Sequence, residues 1–349
     1  MREKLLIFAA VYSMMAQSLA QQEETLSISS TIPANSDWVV PRTEYGTPDL
    51  QGTWFFGSRT PLQRPKALGN KANYSLEEVA ELEAGMQQRL DLQAEPLDPG
   101  RDAPEAGAQI RQEADDAFLA HYQEAKILPV SGEYKTSIIV DPPDGRIPMR
   151  MNRGMGQMGM TSSGPGPMDG PEGQPLSGRC LAFGSAIPNL TPMMMNPNMI
   201  IVQNEDYVMI MTEMVHDARI IRLNKEHFDH DIKQWMGDSV GYWDGDTLVV
   251  HSKGFRPEQS GGMMSVAVSD HTRITERYTL SSEDTIHYTF TVTDDSLYTQ
   301  PFTGERTLRR NAPEERVYDF ECHEGNYSLS AILRGARVQE VEAEINNKE

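Results

Sequence analysis

Short stretches in which apolar and polar residues alternate dominate the second half of the chain. In Thr285–Thr293, Ile286, Tyr288, Phe290 and Val292 share one face, and His287 lies with threonines on the other, where we expect it to be solvated. A period of two is typical of half-buried β-strands. Short turns rich in Ser, Asp, Gly and Pro separate these stretches and mark the strand ends. The predicted strands are Tyr134–Val140, Ile200–Gln203, Tyr207–Met214, Arg219–Leu223, Ser239–Trp243, Thr247–His251, Thr272–Leu280, Thr285–Thr293, Glu305–Arg309 and Arg316–Cys322.

This series of strands contains no alternation of strands and helices, which indicates a mainly β fold, either an antiparallel barrel or a sandwich. We expect a barrel, because closure removes the exposed strand edges. After Cys322 the apolar residues Leu329, Ile332, Leu333 and Ala336 recur at helical spacing. They predict a C-terminal helix that begins near Asn326, a good N-cap residue.

The N-terminal third has a different character. Residues 1–20 have a basic start, an apolar run and small residues at the end, the pattern of a secretory signal peptide; a buried N-terminal helix is the alternative. Residues 21–130 contain extended and helical segments, with a capping box at Ser75–Glu78, but no evident core. We expect them to wrap around a barrel domain spanning residues 131–340, with a flexible tail at 341–349.

Composition and charge limit the cellular locations and binding partners that we expect for this protein. The apolar run near the N-terminus is too short to span a bilayer, and no later stretch is long enough, so we expect a periplasmic or secreted soluble protein. The formal net charge of −20 argues against nucleic acid and anionic membranes as partners. Two cysteines in an exported protein predict a disulfide between Cys180 and Cys322, with two buried free thiols as the alternative.

Two groups of residues suggest chemistry inside or at the end of the barrel. Glu276 shares the apolar face of its strand, which indicates either a functional carboxylate or an ion pair with Arg277 or Arg219. His216 continues the apolar face of Tyr207–Met214, so it either lines a cavity or is a core histidine, and Asp217 could orient its ring.

His323 and Glu324 follow the last predicted strand, where functional side chains are often displayed. His271 lies at the head of the strand that contains Glu276.

The signals for a metal or cofactor are weak. His227 and His230, with neighbouring aspartates, could bind a divalent metal but fit a polar loop better. Asp244 and Asp246 fit a hairpin turn better than a calcium site. A Met-rich loop lies near residues 149–160. Its thioethers suit Cu(I), but a low-complexity insertion also explains its composition. No nucleotide-binding loop or nucleophile motif is present, and the sequence specifies no cofactor. The methionines of that loop are Met149, Met151, Met155, Met158 and Met160.

Several motifs follow one another along the chain. They are Pro48–Trp54 (PDLQGTW), Ile138–Pro148 (IIVDPPDGRIP), Arg179-Cys180, His216–Asn224 (HDARIIRLN), Trp235–Val250, Glu276–Thr279 (ERYT) and Cys322–Tyr327 (CHEGNY). In this order they resemble a large, essentially uncharacterised family of exported bacterial proteins. The resemblance covers nearly the whole mature chain and implies a lipocalin-like (calycin-type) barrel, but no particular reaction. It implies site roles for Trp54, Arg219, Trp243, His271 and Asn326, besides the residues above, and includes both cysteines.

Three functions fit these observations. The first is a barrel that binds an apolar or amphipathic small molecule, with His216, His323, Glu324 and Glu276 converging in one cavity for acid–base chemistry such as isomerisation, hydration or cyclisation. A metal site built from His216, His271, His323 and Glu324 is a variant of it. The second is a non-catalytic module that binds an envelope component, a polymer or a partner through exposed Trp54 and Trp243. The third is copper binding by the Met-rich loop. The sequence gives no oligomeric state.

Overall fold

The computed structural model describes residues 38–94, 100, 126–150, 166, 168–181, 197–229, 231–257 and 266–346. Residues 101–125, part of the region expected to contain helical segments, and most of the Met-rich loop lie outside these ranges. The α-helices in the described part are α1 (Leu76–Ala94) and α2 (Tyr327–Asn346). The strands are β1 (Gly52–Phe55), β2 (Ile139–Asp141), β3 (Asn198–Gln203), β4 (Tyr207–Thr212), β5 (Ala218–Leu223), β6 (Asp238–Asp244), β7 (Thr247–Lys253), β8 (Arg273–Ser282), β9 (Thr285–Thr293) and β10 (Phe302–Arg310).

The strands form a closed barrel, which confirms the predicted fold class. The order around the barrel is β1, β3, β4, β5, β6, β7, β8, β9 and β10, and pairing of Trp54 with Arg310 closes it between β1 and β10. The short strand β2 adds to β10. Neighbouring strands are antiparallel except β5 and β6, which run parallel. A parallel pair needs a longer connection, which residues 224–237 provide.

The barrel interior follows the period of two seen in the sequence. Ile274, Glu276, Tyr278 and Leu280 of β8 are buried at alternate positions. The matching positions of β9, which include Tyr288 and Phe290, are also buried. Burial of a large apolar side chain stabilises a fold by about 1.5–3 kcal/mol. This interior therefore accounts for much of the folding free energy.

The chain segment from Pro129 to Lys135 covers one outer face of the barrel. Lys135 makes an ion pair with Glu305 of β10 (3.2 Å), and Glu305 also bonds to His287 of β9 (3.1 Å). Thr307 donates to the carbonyl of Pro129 (2.5 Å). His287 is therefore buried, and its predicted exposure is wrong because this chain segment lies over the outer face of its strand. The Ser75–Glu78 capping box at the start of α1 is confirmed by both of its hydrogen bonds.

The segment that follows β10 differs from the prediction. Residues 316–322 form no strand, because β10 is already paired on both sides, by β9 and by β1 with β2. The predicted strand Tyr134–Val140 is likewise reduced to Ile139–Asp141.

A disulfide and a helix cap fix the start of α2. Cys180 and Cys322 are bonded (2.03 Å), as predicted. Asn326 accepts from the backbone N–H of Leu329 (3.5 Å), which confirms it as the cap, and donates to the carbonyl of Gly178 (3.0 Å). The helix continues to Asn346, past the point where the sequence predicted a tail. Neither described helix is long and apolar enough to cross a membrane.

Candidate functional site

A network of charged and phenolic groups lies inside the barrel. Both terminal nitrogens of Arg219 (β5) contact the carboxylate of Glu276 (β8), one of them at 3.1 Å from Oε1. The hydroxyls of Tyr278 and Tyr288 each donate to the same oxygen at 2.9 Å. Glu276 is 0% and Arg219 is 3% exposed. The predicted inward position of Glu276 is confirmed, and Arg219 is its partner.

Burial and charge shift the pKa values within this network. Burial alone would lower the pKa of Arg219, but the charge of Glu276 outweighs it and raises that pKa. Burial, followed by the charge of Glu276, raises the pKa of both Tyr278 and Tyr288 well above the ordinary value. The guanidinium therefore stays charged, and the phenols stay neutral donors. The network has the features of a satisfied structural ion pair rather than of a reactive centre.

A second buried guanidinium lies near the same network. Arg306 of β10 pairs across the sheet with Tyr288 and donates to the carbonyl of Phe56. Burial lowers its pKa to about 10. A water-sized cavity lies beside it, lined also by Ser58 and Thr60. A cavity of that size holds one water molecule, not an organic ligand.

The turn between β4 and β5, residues 213–217, departs from regular backbone geometry. Val215 (φ 65°) and His216 (φ 45°) both adopt the left-handed region within the 3₁₀ turn Met214–His216. A β-branched residue is rarely found there. Such conformations are costly and cluster at functional sites, so the turn becomes a candidate on backbone geometry alone.

Buried Glu213 anchors this turn. Its carboxylate accepts from the side-chain amide of Asn198 (2.5 Å) and from the backbone N–H of Tyr318 (3.3 Å). The backbone N–H of His216 donates to the carbonyl of Glu213 (3.2 Å). The turn is thus tied both to β3 and to the chain segment that the disulfide holds.

Asp217 is the electrostatically unusual group of the turn. Its side chain is half-buried, and burial raises its pKa to about 6, although the neighbouring His216 opposes the rise. A carboxyl group with a pKa near 6 is present in both protonation states close to neutral pH. This is the condition under which a side chain exchanges protons efficiently with a ligand.

The structure does not place the predicted histidines in an interior cavity with Glu276, which is fully buried. His216, His271, His323 and Glu324 are all exposed. His216 leaves the inward face because the strand ends at Thr212 and the turn reverses the alternation. Among the described residues, no group of three or more His, Cys, Asp or Glu side chains is placed to hold a metal ion.

Trp54 and Trp243 pack against the barrel, and Asn326 caps α2. Trp54 is fully buried, donates to the carbonyl of Leu50 (2.9 Å) and lies against Arg310, whose guanidinium carbon is 4.2 Å from the ring centre. Trp243 is half-buried against the core. The predicted exposed patch of Trp54 and Trp243 is therefore wrong, because both rings pack against the barrel.

Side chains of two loops singled out in the sequence bond to charged neighbours. His227 bonds to Asp238 through Nδ1 (2.9 Å), and Asp238 also pairs with Arg222 (2.8 Å). Asp244 and Asp246 pair with Arg277 and Arg42, respectively. His230 and the methionines of the Met-rich loop other than Met149 lie outside the described residues.

The sequence analysis did not identify Glu213 of the β4–β5 turn or Tyr288 of the barrel interior as candidate site residues. Glu213 falls on the outer face of β4, where the sequence suggests a solvated side chain, but Asn198 and the backbone of Tyr318 bury it there. Tyr288 stands among apolar neighbours, and only the cross-strand position of Glu276 shows that its hydroxyl has a partner.

Comparison with known proteins gave no match to a family model and none to a curated protein.

Proposed function

We propose that this protein is an exported barrel that binds an apolar or amphipathic small molecule at the β4–β5 turn, with Asp217 as the proton-exchanging group. The half-buried carboxyl with its raised pKa, in a strained and anchored turn, carries this proposal. Proton donation to a ligand oxygen is the step common to isomerisation, hydration and cyclisation. His216 lies beside Asp217, is exposed, and would offer a second polar contact to the ligand.

The barrel interior supports this location indirectly. Each described polar group of the Arg219–Glu276 pair already has a partner, and the pair is shut off from solvent. A ligand would have to break that pair at high cost, because an uncompensated buried charge is strongly destabilising. The turn offers a titrating group that is reachable without unfolding the core.

The binding proposal is tested with Nile red, a neutral apolar dye with a carbonyl acceptor, whose fluorescence rises in apolar surroundings. The protonated carboxyl of Asp217 can donate to the carbonyl, and the ionised one cannot. Affinity is therefore expected to fall about tenfold between pH about 5 and pH about 8, the size of a typical coupling free energy.

Asp217→Asn should retain affinity across this range, because an amide also donates a hydrogen bond. Asp295→Asn removes an exposed carboxylate at the same end of the barrel and should behave like the wild type. Equal pH dependence in Asp217→Asn and the wild type would overturn the role of Asp217. Absence of Nile red binding would count against the ligand class.

Asp217→Asn should also stabilise the fold at neutral pH. The pKa of Asp217 is about 6 in the folded protein and 3.8 ordinarily, so the folded state binds the extra proton and stability falls as pH rises between these values. The variant is expected to gain about 1–2 kcal/mol at pH about 7.5, after allowance for solvent screening, and little at pH about 4. Urea denaturation at both pH values measures this. A destabilised variant at neutral pH would contradict the raised pKa.

Export is part of the same proposal. The signal-like residues 1–20, the resemblance to exported bacterial proteins and the compatible Cys180–Cys322 disulfide support a periplasmic or secreted location. Expression of the full chain in a bacterium should give a periplasmic form whose intact mass corresponds to a start near Gln21. An uncleaved cytoplasmic product would contradict it.

A further inference from the structure

An apolar surface lies on the outside of the barrel across three adjacent strands. Val202, Met209 and Ile220 are direct cross-strand neighbours on β3, β4 and β5, and Val202 and Ile220 are 45% and 50% exposed. Outward positions of a solvated barrel are normally polar, as they are on β8, where Thr275, Arg277 and Thr279 occupy them. We call this surface the β3–β5 wall; its residues are Ile200, Val202, Tyr207, Met209, Met211 and Ile220.

The concentration of exposed apolar side chains here is specific to this side of the barrel. Among the described strand residues, every exposed large hydrophobic side chain lies on β3 to β6, namely Val202, Tyr207, Ile220 and Tyr242. The exposed ring of Phe228 lies next to the wall, stacked 3.6 Å from the guanidinium of Arg222. Contiguous apolar patches of this kind mark interaction surfaces.

The size of the wall matches one helix. Three strands about 4.8 Å apart span about 10 Å between the outer two, and five or six residues of each strand extend about 17–20 Å. An α-helix with its side chains is about 10–12 Å wide, so about three to four of its turns would cover the wall.

The rim of the wall is acidic. Glu205 and Asp206 are exposed in the turn that joins β3 and β4. Glu226, Asp229 and Asp231 are exposed in the connection after β5, which also carries Phe228. The cations nearby are Lys225, Lys233 and Arg222. Lys233 pairs with Asp270 (3.3 Å) and Arg222 with Asp238 (2.8 Å). The whole chain carries a formal charge of −20, so a second copy would be repelled and a cationic partner attracted.

We propose that the β3–β5 wall docks a cationic amphipathic polypeptide segment as a helix. Its apolar face would cover Val202, Met209 and Ile220, and its lysines or arginines would meet the acidic rim. As in other complexes of amphipathic helices, apolar anchors would supply affinity and charges would supply rate and specificity, here on an open sheet face. The inference does not depend on the function proposed for the β4–β5 turn.

The test uses a fluorescent Leu/Lys peptide of about 18 residues, long enough to cover the wall, and the full mature chain. Fluorescence anisotropy should show binding that weakens as salt is raised, because the rim charges are exposed. The double variant Met209→Ser/Ile220→Ser should bind about tenfold more weakly. Val338→Ser/Val341→Ser removes exposed apolar side chains from α2 instead and should bind like the wild type.

Three results would overturn the proposal. One is equal binding of a peptide in which every lysine is replaced by glutamate, since the acidic rim would then have no role. Another is unchanged affinity of Met209→Ser/Ile220→Ser while its urea denaturation matches the wild type. The third is sedimentation that shows a wild-type dimer dissociated by Met209→Ser/Ile220→Ser, which would identify a second copy as the occupant.

Discussion

Arg219→Met is expected to lower the free energy of unfolding by about 3–5 kcal/mol, because it leaves the carboxylate of Glu276 buried without its cation. The methionine fills a similar volume, so the loss reflects charge rather than a cavity. The remaining partners, Tyr278 and Tyr288, are neutral donors whose pKa values burial has raised, and they cannot replace the positive charge. Urea denaturation near pH 7 measures the change.

Replacement of both Arg219 and Glu276 tests whether this ion pair has a structural or a functional role. Arg219→Met/Glu276→Leu should recover most of the lost stability, since well-packed apolar residues often replace a buried ion pair without loss. Tyr288→Phe serves as a smaller control, with an expected cost of about 1 kcal/mol for one hydrogen bond. The double variant should still bind Nile red like the wild type. A double variant that folds but no longer binds the dye would place the ligand inside the barrel instead.

Removal of the disulfide is the second large effect. Cys180 and Cys322 are 142 residues apart, and the segment between them contains β3 to β10. Closing a loop of that length stabilises a fold by about 5 kcal/mol in the chain-entropy model. The free energy of unfolding of Cys180→Ala/Cys322→Ala, measured by urea denaturation, should therefore be lower by up to about 5 kcal/mol.

Reduction of the wild type should reproduce the behaviour of the double cysteine variant. Hydrogen exchange should speed up first in α2 and in the turn 176–181, which the bond joins directly. A loss below about 1 kcal/mol would show that the bond fastens only the α2 segment and leaves the barrel unaffected.

The sequence predicts the inward-facing residues of the barrel well, because the alternation that reveals them depends only on neighbouring residues. Alternation along β8 is enough to turn Glu276 inward, and the cap at Asn326 depends on neighbours only three residues away. The choice of Arg219 over Arg277 as the partner of Glu276 requires the strand order, which local pattern does not contain. Both arginines were acceptable candidates from the sequence alone.

The errors arise where distant parts of the chain meet. His287 lies on a polar face, yet Lys135 and its segment bury that face from more than a hundred residues away. Residues 316–322 alternate like a strand, but β10 has no free side to receive them. Extending β4 through residues 213–216 places His216 inward. The backbone turns there instead, with Val215 and His216 in the left-handed region, and residue propensities do not predict such a turn.

The titration of Asp217 tests the account most directly. The carboxyl carbon of this residue can be followed by ¹³C NMR against pH in the mature protein, with Asp295 as an exposed reference. The structure leads us to expect a midpoint of about 6 for Asp217 and a further rise when Nile red is bound, because the ligand selects the protonated form. A midpoint near the ordinary value of 3.8, unchanged by the dye, would contradict both the electrostatics of the turn and the function proposed for it.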